Sequence, residues 1–433
     1  ATAAGGRFAH PADASASVDP TPGLGLWGLA RTIAAEYPDV VVRAVDVDLH
    51  EEPERIAAAL LGELGTPGGA AVVGYRNETR SQLRLVRSEL TGAPPGSGEE
   101  LRAATEAIGL GPESVVLLTG GGRGITGGFA TALAQACGCR IELLGRSPAP
   151  NSSEPAPIAA AADAAALRRA VVAQGIATPA KVEAEVRRIL ASRELRSTLE
   201  TVGASAAGVR YHQADITDSR QVRQVVDGIF ERWGRLDGLV HGAGVLEDRR
   251  IADKMPEIFA RVFSTKVDGA RALARALDGR PTLAFLVMFG SVSGVFGNPG
   301  QADYAAANDA LDTLARLWQG SAASRRRVPS RPASRASELM PGLADIAPPV
   351  PLAARILSID WGPWAAAAGG MVSPELERDY ARRGIDMIAP EAGVAAMFRE
   401  LAWGDPSASQ VIYFAGPAGA FANPPTPMSS GAA

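Results

Sequence analysis

The sequence predicts an α/β protein built on a parallel, doubly wound sheet, and three observations predict it. From Ser114 onward, short β-rich runs alternate with helical pattern, the rhythm of strands joined by crossover helices. The first run opens into Thr119-Gly120-Gly121-Gly122-Arg123-Gly124-Ile125 and then a helix, the order of strand, turn and helix that lets a backbone approach a phosphate. Further on, Tyr304 and Asn308 stand four apart, and so share one helix face, thirteen residues after Ser291.

Taken in order, residues 11–22 read as a linker rich in Ala, Ser, Asp and Pro. Apolar periodicity then predicts a helix over Leu26–Ala35, a strand over Val40–Val47, a helix over Pro53–Gly65 and strands over Gly69–Tyr75 and Ser81–Val86, a small α/β unit. Gly23-Leu24-Gly25-Leu26-Trp27-Gly28 has the spacing of a dinucleotide motif, yet Thr21-Pro22 precedes it where a buried strand is required, so no phosphate is expected there. Gly92–Glu99 reads as a linker. The larger unit follows, with strands at Ser114–Leu118, Arg140–Leu144, Val209–His212, Leu236–His241, Leu283–Phe289 and Ile356–Ile359, a helix over Phe129–Ala136 and an edge strand at Gln410–Phe414.

Two segments break the rhythm. Asn151–Ala207 inserts an Ala-rich stretch and an amphipathic helix with Val182, Val186, Ile189 and Leu190 on one face, a packing pattern. Gly320–Pro351 carries Arg325, Arg326, Arg327, Arg331 and Arg335 among Ser, Ala and Pro. It reads as a solvated, disordered loop, a contact for an acidic partner being the alternative. Disorder is also expected for Asn423–Ala433.

Composition narrows the function. A formal charge of -4 and a pI near 5.8 give no basic field for nucleic acid. The two cysteines, Cys137 and Cys139, have no second pair to complete a zinc site, and no metal is expected. No run of about 18 apolar residues and no leader pattern at the start predict a soluble protein with no membrane partner, and the cysteines suit a reducing cytoplasm.

The chemistry-bearing residues point to carbonyl reduction. The glycine turn would seat a pyrophosphate on the helix N-terminus. Where an NAD enzyme places an acid for the ribose hydroxyls, the second strand ends in Gly145-Arg146-Ser147, which favours a 2′-phosphate, hence NADPH, with Arg123 as a second positive contact. A Tyr304 phenol at its usual pKa of about 10 is a poor proton shuttle. The Lys266 ammonium is expected to pull it down by about 1 to 3 units.

Lys266, Ser291, Tyr304 and Asn308 together resemble the short-chain dehydrogenase/reductase superfamily, and specifically the ketoreductase domain of type I polyketide synthases. In the ordinary superfamily member the helix carries Tyr-x-x-x-Lys; here Lys266 and Asn308 have exchanged places, as in synthase ketoreductases. The resemblance spans roughly residues 23–415. It implies a Rossmann-like catalytic subdomain over 102–422, with insertions at about 148–207 and 320–351, behind a truncated Rossmann structural subdomain at 1–101. The long insertion after Arg146 looks most like iterative or polyunsaturated-fatty-acid-type synthases. The implied reaction is NADPH-dependent reduction of a β-ketoacyl thioester on an acyl carrier protein, among the other domains of a synthase.

The resemblance also implies roles. Tyr304 is the general acid, Ser291 hydrogen-bonds the substrate carbonyl, and Asn308 orients Lys266 or a relaying water. Thr119, Gly120, Gly122, Arg123, Gly124 and Ile125 hold the cofactor, although Thr126 stands where the family has its last glycine. Asp215-Ile216 matches the position that contacts adenine, a helix N-cap being the other reading. His241-Gly242-Ala243-Gly244 matches the element beside the cofactor ribose, with His241 either structural or cofactor-contacting. Gly362 and Pro363, within Trp361-Gly362-Pro363-Trp364, match the turn beside the nicotinamide. Met371 and a helix over Pro374–Arg383 would form the lid. Leu246-Glu247-Asp248 resembles the signature of B-type ketoreductases, and Phe296 replaces the Trp of A-type ones; both imply a 3R alcohol. A free-standing reductase of small ketones and an inactive structural domain are the rival readings.

Overall fold

A computed structural model describes residues 1–10, 23–66, 68–90, 98–150, 154–176, 178–281, 283–327, 353–365, 374–382 and 384–417. Its N-terminal part holds α1 (Leu26–Glu36), β1 (Ala44–Val47), α2 (Pro53–Gly65), β2 (Val72–Arg76) and β3 (Thr79–Ser81). β1 and β2 are parallel, and β2 turns back antiparallel into β3 through Asn77 and Glu78, both at positive φ. All three predicted strands are shorter than expected, β2 starting only at Val72. Val40 and Val41 stay exposed ahead of β1, and β3 ends its pairing at Ser81, leaving Leu83, Leu85 and Val86 exposed. The alternation at 81–86 is real, but without a neighbouring strand it makes no ladder.

The glycines of the Gly23–Gly28 motif serve packing. A Cβ on Gly25 would lie 2.5 Å from the Ala306 carbonyl oxygen and one on Gly28 would lie 2.3 Å from that of Ala305. α1 therefore presses against the helix that carries Tyr304, and the Trp27 N–H donates to Asp309 on the same helix (3.1 Å).

The second sheet has seven strands: β4 (Val115–Thr119), β5 (Arg140–Gly145), β6 (Gly208–Gln213), β7 (Gly238–His241), β8 (Leu283–Ser291), β9 (Ala353–Trp361) and β10 (Gln410–Tyr413). All neighbours are parallel, in the order β10-β9-β8-β7-β4-β5-β6. β4 is a fully buried apolar run, as a strand covered on both faces requires. The order reverses between β4 and β7, and the crevice at the carboxyl ends of those strands is where such sheets bind ligands.

One face is covered by α8 (Ser219–Trp233), α9 (Pro256–Ala276) and α11 (Ala302–Arg327); α3 (Gly98–Ile108), α4 (Gly124–Cys137) and α13 (Pro390–Trp403) cover the other. α3 was not expected, although Leu101, Ala104 and Ile108 recur at helical spacing and pack on the core. The insertion forms α5 (Ala156–Ala159), α6 (Ala164–Ala173) and α7 (Pro179–Gly203) around a core of its own that includes Leu167, Val171, Val182, Val186 and Ile189. Leu190, expected on that face, is 41% exposed. Short α10 (Val292–Phe296) follows β8, and α12 (Pro374–Arg382) occupies the expected lid segment. Arg325–Arg327 end α11, whereas Arg331, Arg335, Met371 and the tail at 423–433 lie outside the described residues. Among the described residues no helix is long and apolar enough to cross a membrane.

Candidate active site

A cleft of about 300 Å³ opens at the switch point, lined among others by Gly120, Arg123, Gly244, Lys266, Ser291, Tyr304, Gly362 and Tyr380. The glycine turn, Lys266, Ser291, Tyr304 and the Trp361–Trp364 turn thus converge on one groove, with Asn308 fully buried behind its lining.

The turn is shaped for close approach. Gly120, Gly121 and Gly122 all have positive φ, and a Cβ on Gly145 at the end of β5 would meet the Gly121 Cα at 2.4 Å. Thr126, the departure from the family pattern, is accommodated: its Oγ1 would lie 2.8 Å from a Cβ on Gly120 and 2.7 Å from one on Gly242. Its hydroxyl fills space that two flanking glycines leave open. Arg123 Nε is buried in the same groove without a hydrogen-bond partner, as a donor awaiting an anion would be. Arg146 is exposed at the end of β5. This cradle, with an orphaned guanidinium nitrogen and an exposed arginine in place of an acid, fits a phosphorylated dinucleotide.

His241 is structural. Its Nε2 donates to the Lys266 carbonyl (2.8 Å), which leaves Nδ1 to accept from the Thr119 hydroxyl (2.9 Å). Burial above all lowers its pKa to about 4, so it is neutral at physiological pH with both nitrogens committed. A Cβ on Gly269 would meet its ring at 3.0 Å, so α9 packs closely on it. Asp215 does not cap α8; Asp218 does, while Asp215 accepts from the Thr217 N–H and hydroxyl. Ile216 is buried, and Ala243 is buried beside the cleft-lining Gly242 and Gly244. The Ser147 carbonyl accepts the Tyr211 hydroxyl (2.6 Å). Gly362 donates to the Tyr413 carbonyl, and Pro363 accepts from Ile388, which pins the turn over the cleft.

Lys266 is buried on α9, and its Nζ donates to the Phe289 carbonyl (2.7 Å) with the ammonium 5.4 Å from the Tyr304 ring centroid. Desolvation lowers its pKa to about 8, opposed by the buried carboxylates Asp360 and Asp312. The expected lowering of Tyr304 is not found. Burial dominates and pushes the phenol up to about 12, against hydrogen bonding from Asn308 and Ser291, with the charges of Tyr380 and Asp248 adding to the rise. The group is therefore held as a phenol, the form that donates a proton. Asn308 Nδ2 donates to the Tyr304 carbonyl (2.7 Å), and its Oδ1 is buried without a hydrogen-bond partner.

Ser291 caps α10, accepting from the Ser293 N–H, whereas the Ser293 hydroxyl is spent on Gln301 Oε1 (2.6 Å). This leaves Ser291 as the hydroxyl facing Tyr304. Gln301 is the residue that sequence reasoning missed: its Nε2 donates to both Asp248 oxygens at 3.2 Å, and with Leu246 it lines the cleft, whereas Asp248 stands behind it. Lys254, buried against Asp303 (2.7 Å) and the Glu247 carbonyl, ties the same loop to α11. Phe296 packs with Val292, Tyr380 and Ile385 beside the cleft.

Residues 114–326 match the KR domain family. The chain is 30% identical over 390 residues to a polyunsaturated fatty acid synthase polypeptide from Thraustochytrium sp., which covers 86% of this chain and 12% of that protein. To polyketide synthase GfsB of Streptomyces halstedii it is 31% identical over 412 residues, covering 93% of this chain and 6% of that protein. The chain thus spans a small part of the length of these relatives. Among solved structures, the ketoreductase from the first module of phoslactomycin biosynthesis in Streptomyces sp. HK803 superposes with a TM-score of 0.61 at 26% identity, over 92% of this chain and 71% of that one. With the doubly wound sheet, the glycine turn and the Lys266, Ser291, Tyr304 and Asn308 cluster in place, the chain belongs to the ketoreductase-domain family of polyketide synthases.

Proposed function

We propose that this chain reduces a β-ketoacyl thioester, presented on an acyl carrier protein within a larger cytoplasmic synthase, to the (3R)-β-hydroxyacyl thioester with NADPH. The observation that carries this reading is the convergence of Tyr304, Ser291 and buried Lys266 on the cleft that also holds the glycine turn. The reduced nicotinamide supplies the hydride. Ser291 donates a hydrogen bond to the carbonyl oxygen as negative charge develops there, and Tyr304 gives that oxygen its proton. A phenol at about 12 still protonates a developing secondary alkoxide, which is the stronger base. Lys266 stabilises the resulting phenolate, and the unpartnered Asn308 Oδ1 accepts from a water that returns the proton. The division expected at 101/102 would cut α3, and because that helix packs on α4 and α13 we propose that it falls just before α3 instead.

Stereocontrol is assigned to the Leu246–Asp248 loop acting through Gln301. Asp248 holds the Gln301 amide, Gln301 holds Ser293, and one wall of the cleft is thereby fixed beside Ser291. An unsubstituted β-ketoacyl pantetheine thioester is expected to give predominantly the 3R alcohol on chiral chromatography. Predominantly 3S product would overturn the loop reading, and absence of any alcohol would overturn the reduction itself.

A further inference from the structure

An anion already sits on the N-terminus of α4. The Gly124 N–H, the first donor of that helix, gives its hydrogen bond to Glu194 Oε1 at 2.6 Å. Glu194 belongs to α7, the long helix of the insertion, and the register of α7 on the glycine turn is fixed at three points. Leu195 is fully buried beneath the turn, where a Cβ on Gly122 would come within 3.3 Å of it. Thr198, one turn on, would lie 3.1 Å from a Cβ on Gly127. Glu194 itself reaches the first turn of α4 and lines the cleft with Gly120, Arg123 and Gly124. The neighbouring arginines do not neutralise it: Arg193 and Arg196 both pair with Glu154.

We propose that Glu194 is a built-in competitor for the seat of the cofactor's pyrophosphate, so that cofactor binding requires its carboxylate to leave the α4 N-terminus. The inference rests on the cofactor reading above. Free N–H groups and the helix dipole favour one anion at that end. A second, doubly charged one alongside it is repelled. Glu194 is exposed, so the carboxylate can swing into water without disturbing Leu195. The insertion would then set cofactor affinity without touching the reacting atoms.

NADPH binding followed by fluorescence titration tests this in the wild-type chain and in Glu194→Gln and Glu194→Ala. Adenosine 2′-monophosphate, which has no pyrophosphate, serves as the control ligand. Loss of a capping contact of ordinary strength predicts NADPH affinity tighter by about three- to tenfold in Glu194→Ala. Glu194→Gln keeps an acceptor but loses the charge, and is expected to fall between; the control ligand and the turnover at saturating NADPH should not change. Weaker NADPH binding, unchanged binding or equal tightening of both ligands would overturn the proposal. If the wild-type chain and both variants fail to bind NADPH, the cofactor reading itself falls.

Discussion

Tyr304→Phe is expected to leave NADPH binding intact and to lower turnover by about 10²- to 10⁴-fold, the ordinary range for loss of a positioned general acid. The substitution removes one oxygen from a buried ring that keeps its place beside Lys266, so stability should change little. The same residues predict a pH dependence. Lys266 titrates near about 8, and a lysine carries its charge below its pKa. Wild-type turnover should therefore hold at neutral pH and fall as pH rises through about 8, while His241, neutral above about 4, contributes no limb in that range. A Tyr304→Phe variant with near wild-type turnover would remove Tyr304 from its proposed role.

Arg146→Ala is expected to weaken NADPH by about 10- to 150-fold while sparing NADH. The expected loss is one charge-assisted contact, about 1.5 to 3 kcal/mol. Arg146 is exposed at the carboxyl end of β5, where an NAD enzyme would carry an acid, so truncation should disturb no core. Isothermal titration of both cofactors decides it. Equal affinities in the wild-type chain, or parallel losses in the variant, would place the 2′-phosphate contact elsewhere, Arg123 being the nearest other candidate.

The large sheet was legible because most of its strands are short apolar runs bounded by Gly, Pro or polar turns, the pattern of parallel strands buried on both faces. The candidate cluster was legible through spacing: Tyr304 and Asn308 share a face wherever that helix lies. What escaped depends on contacts between distant segments. Gln301 gains its place from Ser293 and from Asp248, the latter 53 positions earlier, and an exposed glutamate such as Glu194 has no signal until α7 is laid on the glycine turn. The direction of the Tyr304 shift also failed, since charge proximity can be read from a motif while the cost of burial cannot. The strand expected at 81–86 shows the converse: its alternation was visible, but the missing neighbour was not.

The proposed reaction is tested most directly by following NADPH oxidation by the wild-type chain with a β-ketoacyl pantetheine thioester and, in parallel, with a simple ketone of the same chain length. The cleft and the synthase relationship predict rapid oxidation with the thioester, with the β-hydroxyacyl thioester as product in equal amount, and slow oxidation with the ketone. Oxidation that favours the free ketone would identify a small-ketone reductase, and no oxidation with either substrate would contradict an active ketoreductase.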